Sequence, residues 1–219
     1  VSSGETGSSG VLPDAVVATL RDAILGGRIA PGAPVTEAFV SREFDMARPT
    51  ARIGIDRLVA AGLLTREPHH AARVPRLGAS DITDLFAARA ALEAAAVELL
   101  AAEANIPPNA QRAHDALAAL APDAAYAPAD IAFHRALVEG APSTRLPRLH
   151  GLLMGEIELA IAQVEAHRLR SVAEVADEHG RILAAIAAGD AVDAARLART
   201  HVLASRDRLL AHIDSAHER

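Results

Sequence analysis

With 219 residues, 51% of them hydrophobic, the chain is long enough to bury a sizeable core as one domain or two. Its net charge of −6 argues against nucleic acid only if the acidic residues are evenly spread, and they are not. Cysteine is absent, so disulfides and thiolate metal sites are excluded and any metal must be held by His, Asp or Glu.

The opening VSSGETGSSG has neither the basic start nor the apolar stretch of a signal peptide, and residues 1–10 are expected to form a disordered tail. No apolar run approaches the roughly 18 to 20 residues of a membrane span. The expectation is a soluble cytoplasmic protein with no membrane partner. Residues 1–75 carry eight Arg and eight acids, whereas residues 76–219 carry fourteen Arg and twenty acids. From Arg42 to Arg76, seven Arg face only Glu43, Asp45, Asp56 and Glu67, a local basic excess of the kind that accompanies DNA contact.

In chain order, PDAVVATLRDAILGG places Val16, Val17, Leu20 and Ile24 at helical spacing and stops at Gly26 and Gly27. RIAPGAPV reads as a turn-rich connection, and Thr36 as the N-cap of a short helix through TEAFVSREF. A turn at Asp45 to Ala47 leads to RPTARIGIDRLVAAG, with an apolar stripe of Ile55, Leu58 and Val59 and a stop at Gly62. LLTRE and ARVPR flank PHHA as a hairpin over residues 63–76. Helix, helix, turn, helix, hairpin is the order of a winged helix-turn-helix, assigned here to residues 11–76; a generic three-helix bundle is the plainer alternative.

From Ser80 the character changes. DITDLFAARAALEAAAVELLAAEA predicts a long helix capped by Ser80 or Asp81 and ended near IPPN, followed by helical segments at about 110–120, 127–140, 143–167, 171–188 and 190–214. No strand signal follows residue 76. Residues 80–215 are therefore expected to form an all-helical antiparallel bundle, making the whole chain mainly α.

In a helix-turn-helix the second helix enters the major groove. That helix presents Arg48 and Arg52 one turn apart, with Thr50 beside them, and Arg can grip guanine O6 and N7 or neutralise a phosphate. Arg66 and Arg73, with His69 and His70 at the hairpin tip, are the candidates for the wing. Any one of these Arg would serve equally well to solvate the surface.

In DIAFHRALVEG, Asp130 and His134 lie four apart on the side of Leu137 and Val138, where a helix normally buries only apolar atoms. His179 heads the stripe of Ile182, Leu183 and Ile186, and His201 follows Leu197 by one turn. A buried carboxylate must be paired, neutralised or bound to metal. One Asp and three His suit Zn²⁺, Ni²⁺ or a similar divalent ion and leave positions for a ligand. Taken singly, each His reads more simply as a satisfied core residue. Histidines 114, 150, 167, 212 and 217 read as surface or packing residues.

Two resemblances bear on these readings. LRDAILGGRIAPGAPVTE and REFDMARPTARIGIDRLVAAGLLTREP resemble the N-terminal domain of the GntR family of bacterial transcription regulators over about residues 12–76. The likeness puts Arg48 and Arg52 where family members use arginines on operator DNA. Three positions depart from the pattern: Ala47 for the usual Ser or Thr, Ile53 for Glu, and Gly54 for Ala; Pro49, in the first turn, is tolerated. An Ala cap costs ~1 kcal/mol, and Gly for Ala costs about the same in helix propensity. These departures imply a different half-site or a weaker affinity.

D...FHRAL.E, EH..IL.AI.AGD and the later His201 resemble the FCD domain, the helical effector domain of the fatty-acid-regulator branch of that family. The resemblance implies a divalent metal, zinc foremost and nickel as an alternative, on Asp130, His134, His179 and His201, with a small carboxylate completing the coordination. It further implies that Arg89 can pair with that carboxylate; its plainer role is an i, i+4 salt bridge with Glu93. Ser143 stands where Asn is common. The expected function is a ligand-responsive homodimeric regulator, by family default a repressor, on a palindromic operator. A metal-dependent hydrolase, or a regulator with a purely structural metal, is the competing reading.

Overall fold

A computed structural model describes residues 11–164 and 170–217 and divides at Arg76/Leu77 into two compact units. The expected tail at residues 1–10, and His167, lie outside the described residues.

The N-terminal unit runs α1 (Val11–Leu25), β1 (Pro34–Val35), α2 (Glu37–Glu43), α3 (Arg48–Ala60) and β2 (Ala72–Arg73). Thr36 caps α2 as expected, its side chain accepting from the Phe39 N–H at 3.1 Å. Ala47 precedes α3 without any side-chain cap, and Pro49 sits in the first turn, where its missing N–H is not needed. Gly62, at φ 75°, ends α3: its N–H reaches Val59 O and that of Leu63 reaches Leu58 O, a left-handed C-terminal cap. Leu20, Val40, Ile55, Leu58, Leu63 and Leu64 are buried in this unit.

The hairpin holds, with one addition. Thr65 and Arg73 exchange both backbone hydrogen bonds, at 2.9 and 2.8 Å, but β2 also pairs antiparallel with Pro34–Val35, in the connection read as purely turn-rich. Pro34 is tolerated because a two-residue edge strand asks little of its missing N–H.

The regular elements among the second unit's described residues are all helices: α4 (Ala79–Ala102), α5 (Pro108–Ala118), α6 (Ala127–Gly140), α7 (Leu146–Gln163), α8 (Val172–Ala187) and α9 (Ala191–His217). The start of α4 differs from expectation. Gly78 is its N-cap, and Asp81, two positions into the helix beyond Ala79, accepts from the Gly78 N–H at 2.9 Å. Ser171 and Glu174 form a reciprocal capping box on α8.

Two large apolar layers fill this bundle, beside a smaller buried cluster of Leu117, Tyr126, Val172 and Val175. One contains Val97, Leu100, Phe133, Leu137, Ile182, Ile186 and Ala198. The other contains Ile82, Phe86, Ala90, Met154, Ile157, Val202 and Leu209. Along α4 the layers meet at Arg89 and Glu93, and along α9 at His201. The polar groups thus form a stratum between two hydrophobic ones, held by packing on both sides.

Candidate metal centre and nucleic-acid interface

Three helices supply the four expected metal residues. Asp130 and His134 come from successive turns of α6, His179 from α8 and His201 from α9. The histidines are buried, at 1%, 0% and 6% exposure, and Asp130 is nearly so at 9%. Each offers one ligand atom, and the four atoms lie within 4.8 Å of one another. Asp130 Oδ1 is 3.7 Å from His134 Nε2, 3.2 Å from His179 Nε2 and 3.8 Å from His201 Nε2. His134 Nε2 and His201 Nε2 are 3.1 Å apart.

Carboxylates behind two of the rings fix which nitrogen faces the centre. His201 Nδ1 donates to Glu178 Oε2 at 2.7 Å, and Glu178 is gripped in turn by Arg170 Nη1 and Nη2 at 2.6 and 2.7 Å. His134 Nδ1 approaches Glu93 Oε2 at 2.6 Å, a close contact with imperfect N–H alignment. With Nδ1 committed to a carboxylate, Nε2 carries the lone pair, so two lone pairs would face each other at 3.1 Å without a cation between them. Such carboxylate–histidine pairs orient and strengthen metal-binding imidazoles. His179 is held differently: its ring stacks on Phe133 at 3.9 Å and 12°. Neither of its nitrogens makes an aligned hydrogen bond among the described residues, although Nε2 sits 3.2 Å from Asp130.

The residues fit a divalent ion. Bonds of about 2.0–2.2 Å place neighbouring ligand atoms of a metal shell roughly 3 Å apart; the separations within the Asp130 pairs and between His134 and His201 run from 3.1 to 3.8 Å, and all four atoms lie within 4.8 Å of one another. The electrostatics agree. Burial alone would raise the Asp130 carboxyl, but the three imidazoles hold it well below the usual carboxylate range. Burial pushes the His179 imidazole down to about 3, keeping it neutral and ready to donate a lone pair. Burial is the largest single influence on His134 and lowers it, but Glu93 and Asp130 together outweigh burial and raise the pKa to about 9. Without a metal, a proton on His134 supplies the missing positive charge.

Glu93 and Glu178 were not singled out from sequence as part of the site. Glu93 was legible only as the i+4 partner of Arg89, yet it lies on the buried row of Phe86, Ala90, Val97 and Leu100, which could have flagged it. His150, read as a surface or packing residue, is 2% exposed, with Nε2 3.2 Å from Glu93 Oε1. Its role depends on α7 meeting α4, which spacing along α7 does not reveal.

Arg89 forms the salt bridge of its plainer reading. Its Nε donates to Glu93 Oε1 at 2.6 Å, forming the salt bridge within α4, while Nη2 is buried without a hydrogen-bond partner among the described residues. The side chain is 2% exposed. An unpaired N–H of a buried guanidinium is costly and marks a place for an anionic acceptor.

The expected DNA residues are arranged more loosely. On α3, Arg48 and Arg52 are exposed and Thr50 is half-buried. Arg52 lies 3.9 Å from both Glu37 and Asp56, contacts weak enough to yield to phosphate or base. Arg66 donates to Asp56 Oδ1 at 2.7 Å, and Arg73 to Gly32 O at 3.0 Å, bracing β2 against the loop before β1. His69, at φ 66°, and His70 are exposed at the tip between Thr65 and β2.

Gly54 proves to be more than a propensity cost. A Cβ there would stand 2.6 Å from Val16 Cγ1 and 3.2 Å from Leu20 Cδ1, so glycine is what lets α1 and α3 approach so closely.

Comparison with known proteins agrees with this architecture. The family described as bacterial regulatory proteins, gntR family, matches residues 12–74, and the FCD domain matches residues 84–204. A structure described as a transcriptional regulator GntR from Rhodococcus sp. RHA1 is 28% identical over 91% of this chain and 97% of its own, with a TM-score of 0.71. E. coli McbR/YncC shares the fold at 20% identity, covering 93% and 98% of the two chains, with a TM-score of 0.69. A GntR-family transcriptional regulator from Pseudomonas syringae pv. tomato str. DC3000 does so at 20% identity, 98% and 91% coverage and a TM-score of 0.53. The comparison with curated proteins returned no match. With a gntR-type N-terminal domain and an FCD domain matching more than half of its length, the chain belongs to the GntR family of transcriptional regulators, in the branch that carries an FCD ligand-sensing domain.

Proposed function

We propose that the chain is a homodimeric, cytoplasmic repressor that senses a small carboxylate at a metal-bearing centre in its helical domain. Residues 11–76 would be the DNA-binding domain and residues 80–215 the metal, effector and dimerisation domain. The observation that carries this reading is the convergence of Asp130, His134, His179 and His201 on one buried point. A bound divalent ion, with zinc the best match to three imidazoles and one carboxylate, would supply Lewis acidity toward an incoming carboxylate.

The protein's own groups do the rest. Glu93 and Glu178 hold His134 and His201 with Nε2 inward. Phe133 keeps the His179 ring in plane, and the apolar layers on either side exclude water. Arg89 Nη2 is the natural partner for the effector's second oxygen or second carboxylate. To act as a switch, the effector must bind one arrangement of the dimer more tightly than the other. On the DNA side, Arg48, Thr50 and Arg52 would contact the major groove, with Arg66, His69, His70 and Arg73 serving the wing; a symmetric dimer calls for a palindromic operator.

Gel-shift titration of the full chain against its own upstream region, at moderate salt, tests this reading. A specific complex that a small carboxylate weakens is the expected result; no specific complex with or without metal would overturn it.

A further inference from the structure

The face that α3 turns to solvent is not purely basic. Ala51, Gly54, Ile55 and Leu58 are buried, so the opposite row of the helix is Pro49, Ile53, Asp56 and Ala60, all exposed. Ile53 is 44% exposed, one of the few large hydrophobic side chains left in water. It stands one turn after Pro49, making a short apolar strip over the first two turns of the helix, with Arg48 and Arg52 along one flank. Further along the row, Asp56 is engaged by Arg66 at 2.7 Å and lies near Arg52, so the strip ends at a compensated charge.

Given that α3 is the groove-entering helix, a reading this inference rests on, the groove offers such a strip one apolar feature. Each base pair shows hydrogen-bonding atoms along its major-groove edge, but thymine alone shows a methyl group. Neither Pro49 nor Ile53 can donate or accept a hydrogen bond through its side chain, so this two-residue strip cannot read guanine or adenine edges. We propose that Ile53, with Pro49 beside it, is a specificity-determining residue that reads the C5-methyl group of a thymine in each half-site, while Arg48 and Arg52 take the neighbouring guanine or phosphate contacts. The flanking guanidinium charges would hold the duplex against the strip, and burial of the branched side chain against the methyl would supply the discrimination.

The test uses the full-length protein and a random-sequence duplex library. The enriched half-site is expected to contain thymine at one or more positions. Replacing those thymines one at a time by deoxyuridine, which removes only the methyl group, should weaken wild-type binding about fourfold at one position, the worth of burying one methyl. For Ile53→Ala and Ile53→Gln the same replacement should change affinity by less than about 1.5-fold. As Ile53 is exposed, both variants should melt with the wild type, which thermal unfolding checks. An enriched site without thymine, binding insensitive to every deoxyuridine, or a methyl dependence that survives in both variants would overturn the inference while leaving the DNA-binding reading intact. Failure to enrich any sequence would instead overturn that underlying reading, and this inference with it.

Discussion

The two candidate sites handle charge in opposite ways. On α3, Arg52 keeps 71% of its side chain in water, and its nearest acids are 3.9 Å away. In the helical unit, Arg89 and Glu93 are 2–3% exposed and 2.6 Å apart, and Glu93 also serves His134 and His150. An exposed Arg costs almost nothing to keep, so its presence says little by itself. A buried ion must be compensated by its surroundings, so every group in the inner network constrains the next. Substitutions in the inner network should therefore propagate to neighbours, whereas those on α3 should act one by one.

The largest effect is expected from His179→Ala. It removes a proposed ligand and the stacking partner of Phe133, and metal affinity should fall by more than about 100-fold, beyond the 10- to 100-fold usual for groups behind the ligands. Titration with a competing chelator would measure it; unchanged affinity would exclude His179 as a ligand. Glu93→Gln keeps the shape of the side chain but leaves Arg89 and His134 without their anion. A 10- to 100-fold loss of metal affinity is expected, together with a lower melting temperature. A variant that binds metal normally would reduce Glu93 to a purely structural role.

On the exposed side, Arg48→Ala should weaken operator binding by about 1–3 kcal/mol if it grips a base, with no change in melting temperature. Arg66→Ala, by contrast, removes a partner of Asp56 and should mainly flatten the salt dependence of binding. If the two variants prove alike in sequence selectivity, the division between groove and wing is wrong.

The pH dependence separates the inner network further. The pKa of His134 in the folded, metal-free protein is about 9, above its ordinary value of 6.5. The stability it contributes is fully present below pH 6.5 and is lost as pH rises through about 9. His179, lowered to about 3, acts elsewhere: its contribution is present above 6.5 and lost as pH falls toward 3. Metal must displace the His134 proton, so apparent affinity should rise between pH 6.5 and about 9, with close to one proton released per ion near neutrality. Calorimetry in buffers of different ionisation enthalpy would count that proton; none released would show that His134 does not ligate.

The smallest expected effect is at Gly54. Gly54→Ala adds about 1 kcal/mol of helix propensity but forces a methyl against Val16, an overpacking that typically costs about 1–3 kcal/mol. It should be neutral to destabilising alone and stabilising in a Val16→Ala background, as denaturant unfolding of the four proteins would reveal. Additive effects would mean that the two helices do not constrain each other here.

These contrasts also explain what could be read from sequence. The fold class was legible because helical periodicity, caps and glycine stops are local: Thr36 and Gly62 do what their positions suggest. The four inward polar residues were legible because each interrupts an apolar stripe. The groups behind them were not, since Glu178 reaches His201 and His150 reaches Glu93 only through the packing of one helix on another. For the same reason Gly54 looked like a cost until Val16 stood beside it, and Pro34–Val35 looked like a turn until β2 paired with it. On α3, exposure could be inferred from the pattern, but the engagement of Arg66 and Arg73 within the unit could not.

On the proposed reading, a divalent ion belongs at the meeting point of α6, α8 and α9 in a dimeric regulator. Native mass spectrometry of protein purified without chelators or a His tag tests it most directly. The expected result is a dimer carrying one ion per chain, lost in His179→Ala, with the mass of a small acid on some of the wild-type molecules. A wild-type dimer that carries no metal and takes up none on addition of Zn²⁺ or Ni²⁺ would contradict it.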